Sequence, residues 1–440
     1  MKTKLVIFGL TGDLGTRKLL PALGNILKTD AIKDLEIVGV TRREISTDDI
    51  FAKSFGADFL ENPTLKKLRE KTAFYKMNLT DLEDYKNFRE FLQPDNSNQQ
   101  ILVYLSVPPS NATAIVDYLG MAGINAPNVK LMFEKPFGFD LESAREMIRR
   151  TSRFFTEKQI FRVDHFLAKE MAQNIVTMRY GNAIFSRIWD NQSIKSIDIV
   201  AEEEIGIEGR GIFYEQTGAL RDILQGHAMQ LLALVLCDLP VDFKWSELPK
   251  LRAEALDDLE ISRPEDAFRA QYAGYRDEVN NPKSSVETAA GVKLFSRNPK
   301  FSGVPMRLLT GKNLARKATE IHINLKHQHA EQEDEIVFRI QPNEGVSIKL
   351  FAKKPGYGRE FYTKELGFSF PVDARMPDAY EQVFVDAAND KHSLFASSPE
   401  IIRQWEILQP VLDAFSRNSS DAPLKFYAPG TQQRELFAKF

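Results

Sequence analysis

Residues 161–170, FRVDHFLAKE, bring an aspartate, a histidine and a lysine together among apolar side chains. Asp164 is a favoured helix cap, and a helix beginning at His165 would place His165 and Lys169 on one face. Two such cations near a helix amino terminus form a compact anion site that a phosphate group would satisfy. Taken alone, the segment also fits a capping aspartate followed by a solvated polar helix face.

A second candidate for proton chemistry is His227, within a long helix predicted from about Gly218 to Leu236. Half of its surroundings are apolar, because Ile223, Leu224 and Leu231 lie in line with it. A lone histidine in that setting is more often a satisfied core residue. A half-buried histidine oriented by a carboxylate is, however, also what a general base at neutral pH requires. The chain has no HExxH or Cys/His cluster, so no metal site is predicted.

Three glycines near the amino terminus indicate a phosphate-binding turn. The apolar run KLVIFGL at 4–10 predicts a strand buried on both faces, and Gly9, Gly12 and Gly15 lie between it and a helical pattern at 16–27. Such a turn lets backbone amides approach a pyrophosphate at a helix amino terminus. The spacing departs from the usual dinucleotide fingerprint, so a plain glycine-rich turn is the alternative.

The ends of two later strands carry further cations. The second strand ends at Thr41-Arg42-Arg43, and arginine there accommodates the 2′-phosphate of NADP, although Glu44 keeps NAD possible. EKPFG at 134–138 follows another strand, where open α/β sheets bind ligands. A lysine held by a following proline suits hydrogen bonds to both coenzyme and substrate, and a cis peptide would explain Pro136. A surface turn is the alternative.

Two different patterns of elements must position these residues. The first third alternates strands with helices, which predicts a doubly wound, Rossmann-like parallel sheet. From about residue 180 alternating strands dominate, as at 319–326, 335–342 and 344–351, which predicts an antiparallel sheet with one wet face. Amphipathic helices at 377–390 and 398–415 are expected to pack on that second sheet.

Composition excludes several classes of protein. The 440 residues are enough for two or three domains, and 58 basic against 61 acidic residues give a net charge of −3. That balance provides no bulk attraction to nucleic acid, so any anion site must be local. Cys237 is the single cysteine, which fits a reducing compartment. No signal peptide or membrane span is evident, so we expect a cytoplasmic protein without nucleic-acid or membrane partners.

Motifs along nearly the whole chain resemble those of glucose-6-phosphate dehydrogenases. They occur in the family's order: GLTGDLGTRKLLPAL, VYLSVPP, EKPFG, RVDHFLAKE, GRG…ALRDILQGH, VPMRLLTGKNLARK, RIQPNEGV and PDAYE. The pair EKPFG and DHFLAKE is far more specific than the glycine turn. The resemblance implies a Rossmann-like NADP-binding domain over 1–160. An α+β domain with a large, mostly antiparallel sheet would follow over 161–440, binding substrate and forming a homodimer or homotetramer.

The resemblance also implies a reaction. It is the oxidation of D-glucose 6-phosphate at C1 to 6-phospho-D-glucono-1,5-lactone with hydride transfer to NADP, the first step of the oxidative pentose phosphate pathway. By resemblance, His227 is the general base and Asp164 orients it. Further positions match substrate ligands: His165 and Lys169 for the phosphate, Lys135 between sugar and nicotinamide, Glu203 and Asp222 for sugar hydroxyls, and Lys312 and Gln341. Others match coenzyme ligands: Gly9, Thr11, Gly12, Asp13, Leu14, Arg42 at the 2′-phosphate, Tyr104 and Lys135.

Three departures from the family pattern bear on the substrate. The family usually has tyrosine at Phe166, glycine at Ala168 and asparagine at Gly226, and Phe166 removes a hydroxyl that could hold phosphate. One alternative is a dehydrogenase of the glucose–fructose oxidoreductase or inositol dehydrogenase type, which needs no anion site of this kind. Another is a catalytically silent homologue, against which the retention of Asp164 and His227 argues.

Overall fold

A computed structural model describes residues 1–327, 334–371, 373–438 and 440. These residues form two compact units. Unit 1 contains Met1–Gly138, Glu142–Ala168 and Pro377–Ser398, and unit 2 contains Phe139–Leu141, Lys169–Met376 and Pro399–Phe440. The sequence placed a single boundary after residue 160, whereas unit 1 runs to Ala168 and takes a second segment from near the carboxyl end.

Unit 1 is built on a seven-stranded sheet in the order β15-β6-β5-β4-β1-β2-β3. Strands β1 to β6 are parallel, and β15 pairs antiparallel with β6. This confirms the predicted doubly wound parallel sheet. The strands are β1 (Lys2–Phe8), β2 (Leu35–Thr41), β3 (Thr72–Lys76), β4 (Gln99–Leu105), β5 (Val129–Phe133), β6 (Ile160–Val163) and β15 (Phe395–Ala396).

Helices follow the strands of unit 1. They are α1 (Leu20–Thr29) after a π-helical turn at Gly15–Leu19, α2 (Thr47–Phe55), α3 (Pro63–Glu70), α4 (Leu82–Leu92), α5 (Pro109–Met121), α6 (Leu141–Thr151) and α13 (Ala379–Ala388). The expectation that α13 packs on the antiparallel sheet is wrong. Val383 and Phe384 of α13 are fully buried in one apolar cluster with Ile7 and Tyr104 of the parallel sheet.

Unit 2 is built on a nine-stranded sheet in the order β14-β13-β12-β11-β7-β10-β9-β8-β16. Most pairs are antiparallel, as the sequence predicted, but β10 pairs parallel with β7, and β16 pairs parallel with β8. The strands are β7 (Ile194–Glu202), β8 (Ala267–Tyr272), β9 (Ala289–Leu294), β10 (Met306–Gly311), β11 (Ala318–Leu325), β12 (Glu335–Gln341), β13 (Gly345–Lys353), β14 (Phe361–Ser369) and β16 (Leu424–Tyr427).

The α-helices of unit 2 lie before, between and after these strands. They are α7 (Glu170–Gly181), α8 (Ala183–Ile188), α9 (Gly211–Ala219), α10 (Met229–Leu236), α11 (Leu248–Asp257), α12 (Tyr275–Glu278), α14 (Ser398–Ser416) and α15 (Gln433–Leu436). Between α9 and α10, Leu220–Ala228 is π-helical. Among the described residues, no helix has both the length and the apolar character needed to cross a bilayer.

The predicted helix beginning at His165 is wrong, because α7 begins only at Glu170. Asp164 closes a turn instead. Its Oδ1 accepts the Phe166 N–H at 2.9 Å, and its carbonyl oxygen accepts the Leu167 N–H at 3.1 Å. Aspartate offers the backbone such local alternatives to a helix. His165 and Lys169 are therefore not i, i+4 neighbours on one helix.

The predicted helix over 218–236 is present, but its start depends on a distant carboxylate. Gly218 adopts φ 62° and ψ 178°, a region essentially restricted to glycine, which breaks α9 from the π-helix. The carboxylate of Glu287, from the loop before β9, accepts the Leu220 N–H at 3.0 Å. A Cβ at Gly218 would lie 2.3 Å from Glu287 Oε1. The glycine thus leaves room for the group that caps the π-helix.

This arrangement predicts that Gly218→Ala destabilises the protein through both backbone strain and a clash. We expect the free energy of unfolding to fall by about 3 kcal/mol or more, which calorimetry would detect as a lower melting temperature. Gly209→Ala is the matched control, because Gly209 also has a positive φ, 76°, but no atom lies within 4 Å of its added Cβ. That variant should lose only about 1–2 kcal/mol. Equal losses in the two variants would show that the contact with Glu287 contributes nothing.

Candidate active site

The glycine turn of unit 1 follows β1, where the sequence placed it, and its glycines lie close to other backbone atoms. Gly9 has φ +89°, and a Cβ there would lie 2.1 Å from the Ser106 carbonyl oxygen. A Cβ at Gly15 would lie 2.1 Å from the Leu10 carbonyl oxygen. Gly12 closes the turn by donating its N–H to the Gly9 carbonyl oxygen at 2.9 Å. Between these contacts, Thr11, Gly12, Asp13 and Leu14 are at least partly exposed at the carboxyl end of β1.

Two arginines are exposed just beyond the end of β2. Thr41 Oγ1 accepts the Arg43 N–H at 3.1 Å and so bends the chain as it leaves the sheet. Arg42 lines a cavity of about 430 Å³ together with Lys76, Met77, Asn78 and Asp84. The side chain of Glu44, the residue that kept NAD possible, lies 3.6 Å from Lys76 Nζ.

The EKPFG segment begins with a buried carboxyl group, that of Glu134, directly after β5. Tyr104, at the end of the adjacent strand β4, donates its hydroxyl to Glu134. Burial raises the pKa of Glu134 to about 7, and the charge of Asp164 adds to this rise, whereas the Tyr104 hydrogen bond opposes it. Tyr380 of α13 faces the same carboxyl group, since burial and the Glu134 charge raise the pKa of Tyr380.

The Glu134 carboxyl group fixes the backbone at Lys135. The Lys135 N–H donates to the Glu134 carboxyl group, and the peptide between Lys135 and Pro136 is cis, as expected. Tyr104 thus contacts Glu134 directly through its hydroxyl group. Its role in coenzyme binding stays a prediction.

The segment that follows β6 places Asp164 in the interior and His165 at a partly exposed position. The ring of Phe166 is buried, with its centroid 4.9 Å from that of the His165 imidazole. Ala168 is also buried, within the apolar cluster of unit 1. The two departures from the family pattern therefore lie in the packed part of this segment.

In unit 2 the structure brings three predicted residues together around one buried ammonium group. Lys312 follows β10 and Glu203 follows β7, and these strands are parallel, with Gly311 paired to Glu202. Their carboxyl ends therefore meet, and Lys312 Nζ forms an ion pair with Glu203. Asp222 Oδ2 lies 3.9 Å from the same Nζ. A buried ammonium group needs such partners, because desolvation penalises an unpaired charge.

His227 lies in the same π-helix as Asp222. Residues three and four apart share a face of an α-helix, but the i→i+5 hydrogen bonds of a π-helix bring residues five apart onto one side. Asp222 and His227 are five residues apart in this π-helix. His227 is 5% exposed, so it is buried rather than half-buried as the sequence suggested.

Lys169 stands at the amino terminus of α7, where Glu344 supports it. Glu344 lies in the turn between β12 and β13, and its carboxylate is 3.9 Å from Lys169 Nζ. It also accepts the Met171 N–H of the first helical turn, while burial raises its pKa. Gln341, at the end of β12, donates its amide to Thr319 Oγ1 at 3.4 Å.

Sequence reasoning missed the carboxylates that support these residues. In the sequence, Glu134 is only the residue before Lys135, Glu344 is the first residue of the strand predicted over 344–351, and Glu287 lies in no predicted strand or helix. The one signal in the sequence was an acidic residue inside an otherwise apolar or turn segment.

The pKa of Glu134 predicts a distinctive pH dependence of stability. The folded protein retains the Glu134 proton up to about pH 7, whereas the unfolded chain loses it near 4.5. The contribution of Glu134 to stability therefore falls as pH rises through this window. Gln cannot titrate, so the melting temperature of Glu134→Gln minus that of wild type should rise between about pH 5 and about pH 8.

Glu157→Gln provides the matched control in the same unit. Hydrogen bonds and the charge of Arg162 outweigh burial and lower the pKa of Glu157 below 4.5. Its titration therefore lies under the tested range, and its difference from wild type should stay flat. A flat curve for Glu134→Gln as well would contradict the raised pKa.

Comparison with known proteins agrees with this architecture. Residues 6–174 match the family model of the glucose-6-phosphate dehydrogenase NAD binding domain. Residues 176–439 match the model of the glucose-6-phosphate dehydrogenase C-terminal domain. The two models together cover nearly the whole chain.

Individual relatives give the same result. The glucose-6-phosphate 1-dehydrogenase of Chlamydia muridarum is 33% identical over 457 aligned positions, which cover 94% of this chain and 90% of that protein. A solved glucose-6-phosphate dehydrogenase in complex with its substrate glucose 6-phosphate superposes with a TM-score of 0.91 at 27% identity, covering 100% and 97% of the two chains. The solved glucose-6-phosphate 1-dehydrogenase of Mycobacterium avium has a TM-score of 0.87 at 31% identity, covering 99% of this chain and 96% of that one. The chain therefore belongs to the glucose-6-phosphate dehydrogenase family of oxidoreductases.

Proposed function

We propose that this chain oxidises D-glucose 6-phosphate at C1 to 6-phospho-D-glucono-1,5-lactone with NADP as hydride acceptor, the first step of the oxidative pentose phosphate pathway. The observation that carries the proposal is the cluster of the buried Lys312 with the partly exposed carboxylates of Glu203 and Asp222. Its two carboxylates can accept hydrogen bonds from sugar hydroxyls, and its ammonium group can donate to a sugar oxygen. The solved relative that binds glucose 6-phosphate supports the choice of sugar.

His227 is the general base of the proposed reaction. It removes the proton of the C1 hydroxyl while the C1–H bond breaks and the C1 carbonyl forms, so the imidazole becomes an imidazolium. Asp164, a buried carboxylate of unit 1, orients the ring and stabilises its positive charge. The position of His227 in the same π-helix as Asp222, a proposed sugar ligand, supports this role.

His165 and Lys169 bind the phosphate group. The net charge of −3 provides no general attraction for a dianion, so binding must come from local cations. Glu344 holds Lys169 at the amino terminus of α7, where the first helical amides add positive potential. Gln341 completes the sugar pocket.

The coenzyme belongs at the carboxyl edge of the parallel sheet. The open turn formed by Thr11, Gly12, Asp13 and Leu14 presents backbone amides to the diphosphate, and Arg42 meets the 2′-phosphate. When bound, the nicotinamide ring supplies the hydride acceptor. Lys135, its backbone fixed by Glu134, contacts both the sugar and the nicotinamide.

A direct assay of coenzyme reduction tests the reaction and the assignment of His227 as its general base. Reduced coenzyme is measured by absorbance with glucose 6-phosphate or free glucose, each with NADP or NAD. We expect turnover with the phosphorylated sugar, and His227→Asn should lower kcat by about 10²- to 10⁴-fold while substrate still binds. His392→Asn is the control, because it removes another partly buried imidazole, stacked on Phe161 in unit 1.

The outcomes separate the candidate functions. No turnover of glucose 6-phosphate with either coenzyme would refute the proposal and favour a silent homologue. Turnover of an unphosphorylated sugar alone would favour the glucose–fructose oxidoreductase type. Wild-type activity in His227→Asn would remove only the assignment of the base.

We also propose that the chain self-associates through β13 and β14. Two apolar rows cross the sheet from its core to this edge: Phe338–Val346–Phe368, and Ile336–Ile348–Leu366. Burial decreases along the second row, from 1% exposure at Ile336 to 53% at Leu366, and Phe368 is 47% exposed. An edge strand with such a face is a site for pairing with another chain, here a second copy.

Substitution of the exposed leucine tests this surface. Leu366→Glu should shift the molecular mass from light scattering toward that of a monomer, because a charge would be buried at the contact. Leu60→Glu is the control, since Leu60 is similarly exposed, at 51%, in unit 1. A monomeric wild type, or a Leu366→Glu variant with unchanged mass, would contradict the proposal.

A further inference from the structure

The cavity beside Arg42 lies at the carboxyl ends of two neighbouring strands. Lys76 is the last residue of β3, and its register partner is Thr41, the last residue of β2. The Met77 N–H donates to the Thr41 carbonyl oxygen at 2.9 Å and ties the two ends together. Arg42, the next residue after β2, therefore emerges beside Lys76, and both side chains line the cavity.

The two acidic groups near this cavity, Asp84 and Glu44, differ in how strongly other residues hold them. Asp84 is held by a short hydrogen bond, because its Oδ2 accepts the Asn78 N–H at 2.6 Å. Glu44 forms an ion pair with Lys76 at 3.6 Å, and the two side chains are 92% and 60% exposed. A single ion pair at such exposure contributes little to stability, so Lys76 can exchange this partner at small cost.

We infer that Lys76 is a second cation for the 2′-phosphate of NADP, and that Glu44 competes with the phosphate for it. The inference rests on the proposed use of NADP and extends it to a specificity-determining pair. A 2′-phosphate is a stronger acceptor than one carboxylate, so it recruits Lys76 beside Arg42. NAD has no group at this position, and Lys76 then stays paired with Glu44. The exchange therefore adds affinity for NADP alone.

Equilibrium binding to the full chain tests this without relying on turnover. Calorimetric titrations compare NADP with NAD, and adenosine 2′,5′-bisphosphate with adenosine 5′-monophosphate. Lys76→Gln should weaken NADP and the bisphosphate by about tenfold and leave the other two unchanged. Lys71→Gln is the matched control, since Lys71 lies at the opposite end of β3, about 17 Å away, and is exposed.

Glu44→Gln should act in the opposite direction. It removes the competing carboxylate and its repulsion of the phosphate, so NADP should bind several-fold more tightly while NAD does not gain. Lys76→Arg should restore most of the NADP affinity lost in Lys76→Gln. Added salt should weaken NADP binding more in wild type than in Lys76→Gln, because the variant has one fewer phosphate–cation contact for salt to screen.

The results distinguish this inference from the function on which it rests. If Arg42→Ala lowers the preference for NADP while Lys76→Gln leaves the NADP-to-NAD affinity ratio within about twofold of wild type, the role of Lys76 is refuted and the coenzyme proposal stands. A wild-type chain that binds NADP no better than NAD would overturn both.

Discussion

Parallel pairing of strands is the constraint on which the candidate site depends. Two parallel strands must end at the same edge of a sheet, so the residues that follow them are brought together whatever their distance in sequence. In unit 2, the parallel pair β7 and β10 lies within a mostly antiparallel sheet and joins Glu203 to Lys312, 109 residues apart. In unit 1, β4 and β5 join Tyr104 to Glu134, and β2 and β3 join Arg42 to Lys76.

The sequence predicted the strands and turns that depend on local residue patterns. Apolar runs identified β1, β2, β4 and β5 of the parallel sheet but not β3 or β6, and period-two alternation identified β11, β12 and β13. Glycine spacing placed the turn after β1, because close backbone approach at Gly9 and Gly15 excludes any larger side chain. The family resemblance, carried by motifs, supplied the candidate residues that these elements now position.

Long-range contacts explain what the sequence did not reveal. The amphipathic pattern of α13 shows that one face is buried but not against which sheet, and Phe384 packs with Tyr104 at a ring distance of 5.2 Å in unit 1. The π-helix from Leu220 to Ala228 has no local signature, since its start depends on Glu287, 67 residues later. A helix at His165 failed because the Asp164 side chain bonds to its own turn.

Three carboxylates outside the predicted set share one physical role. Glu134, Glu287 and Glu344 each accept a backbone N–H close to a candidate functional residue, and burial raises the pKa of all three. Burying such groups costs free energy, and each carboxylate offsets part of this cost by accepting a backbone N–H that would otherwise lose its partner. Their contribution is therefore placement. Glu134 fixes the backbone at Lys135, Glu287 fixes the start of the π-helix that carries His227, and Glu344 fixes the first turn of α7 beside Lys169.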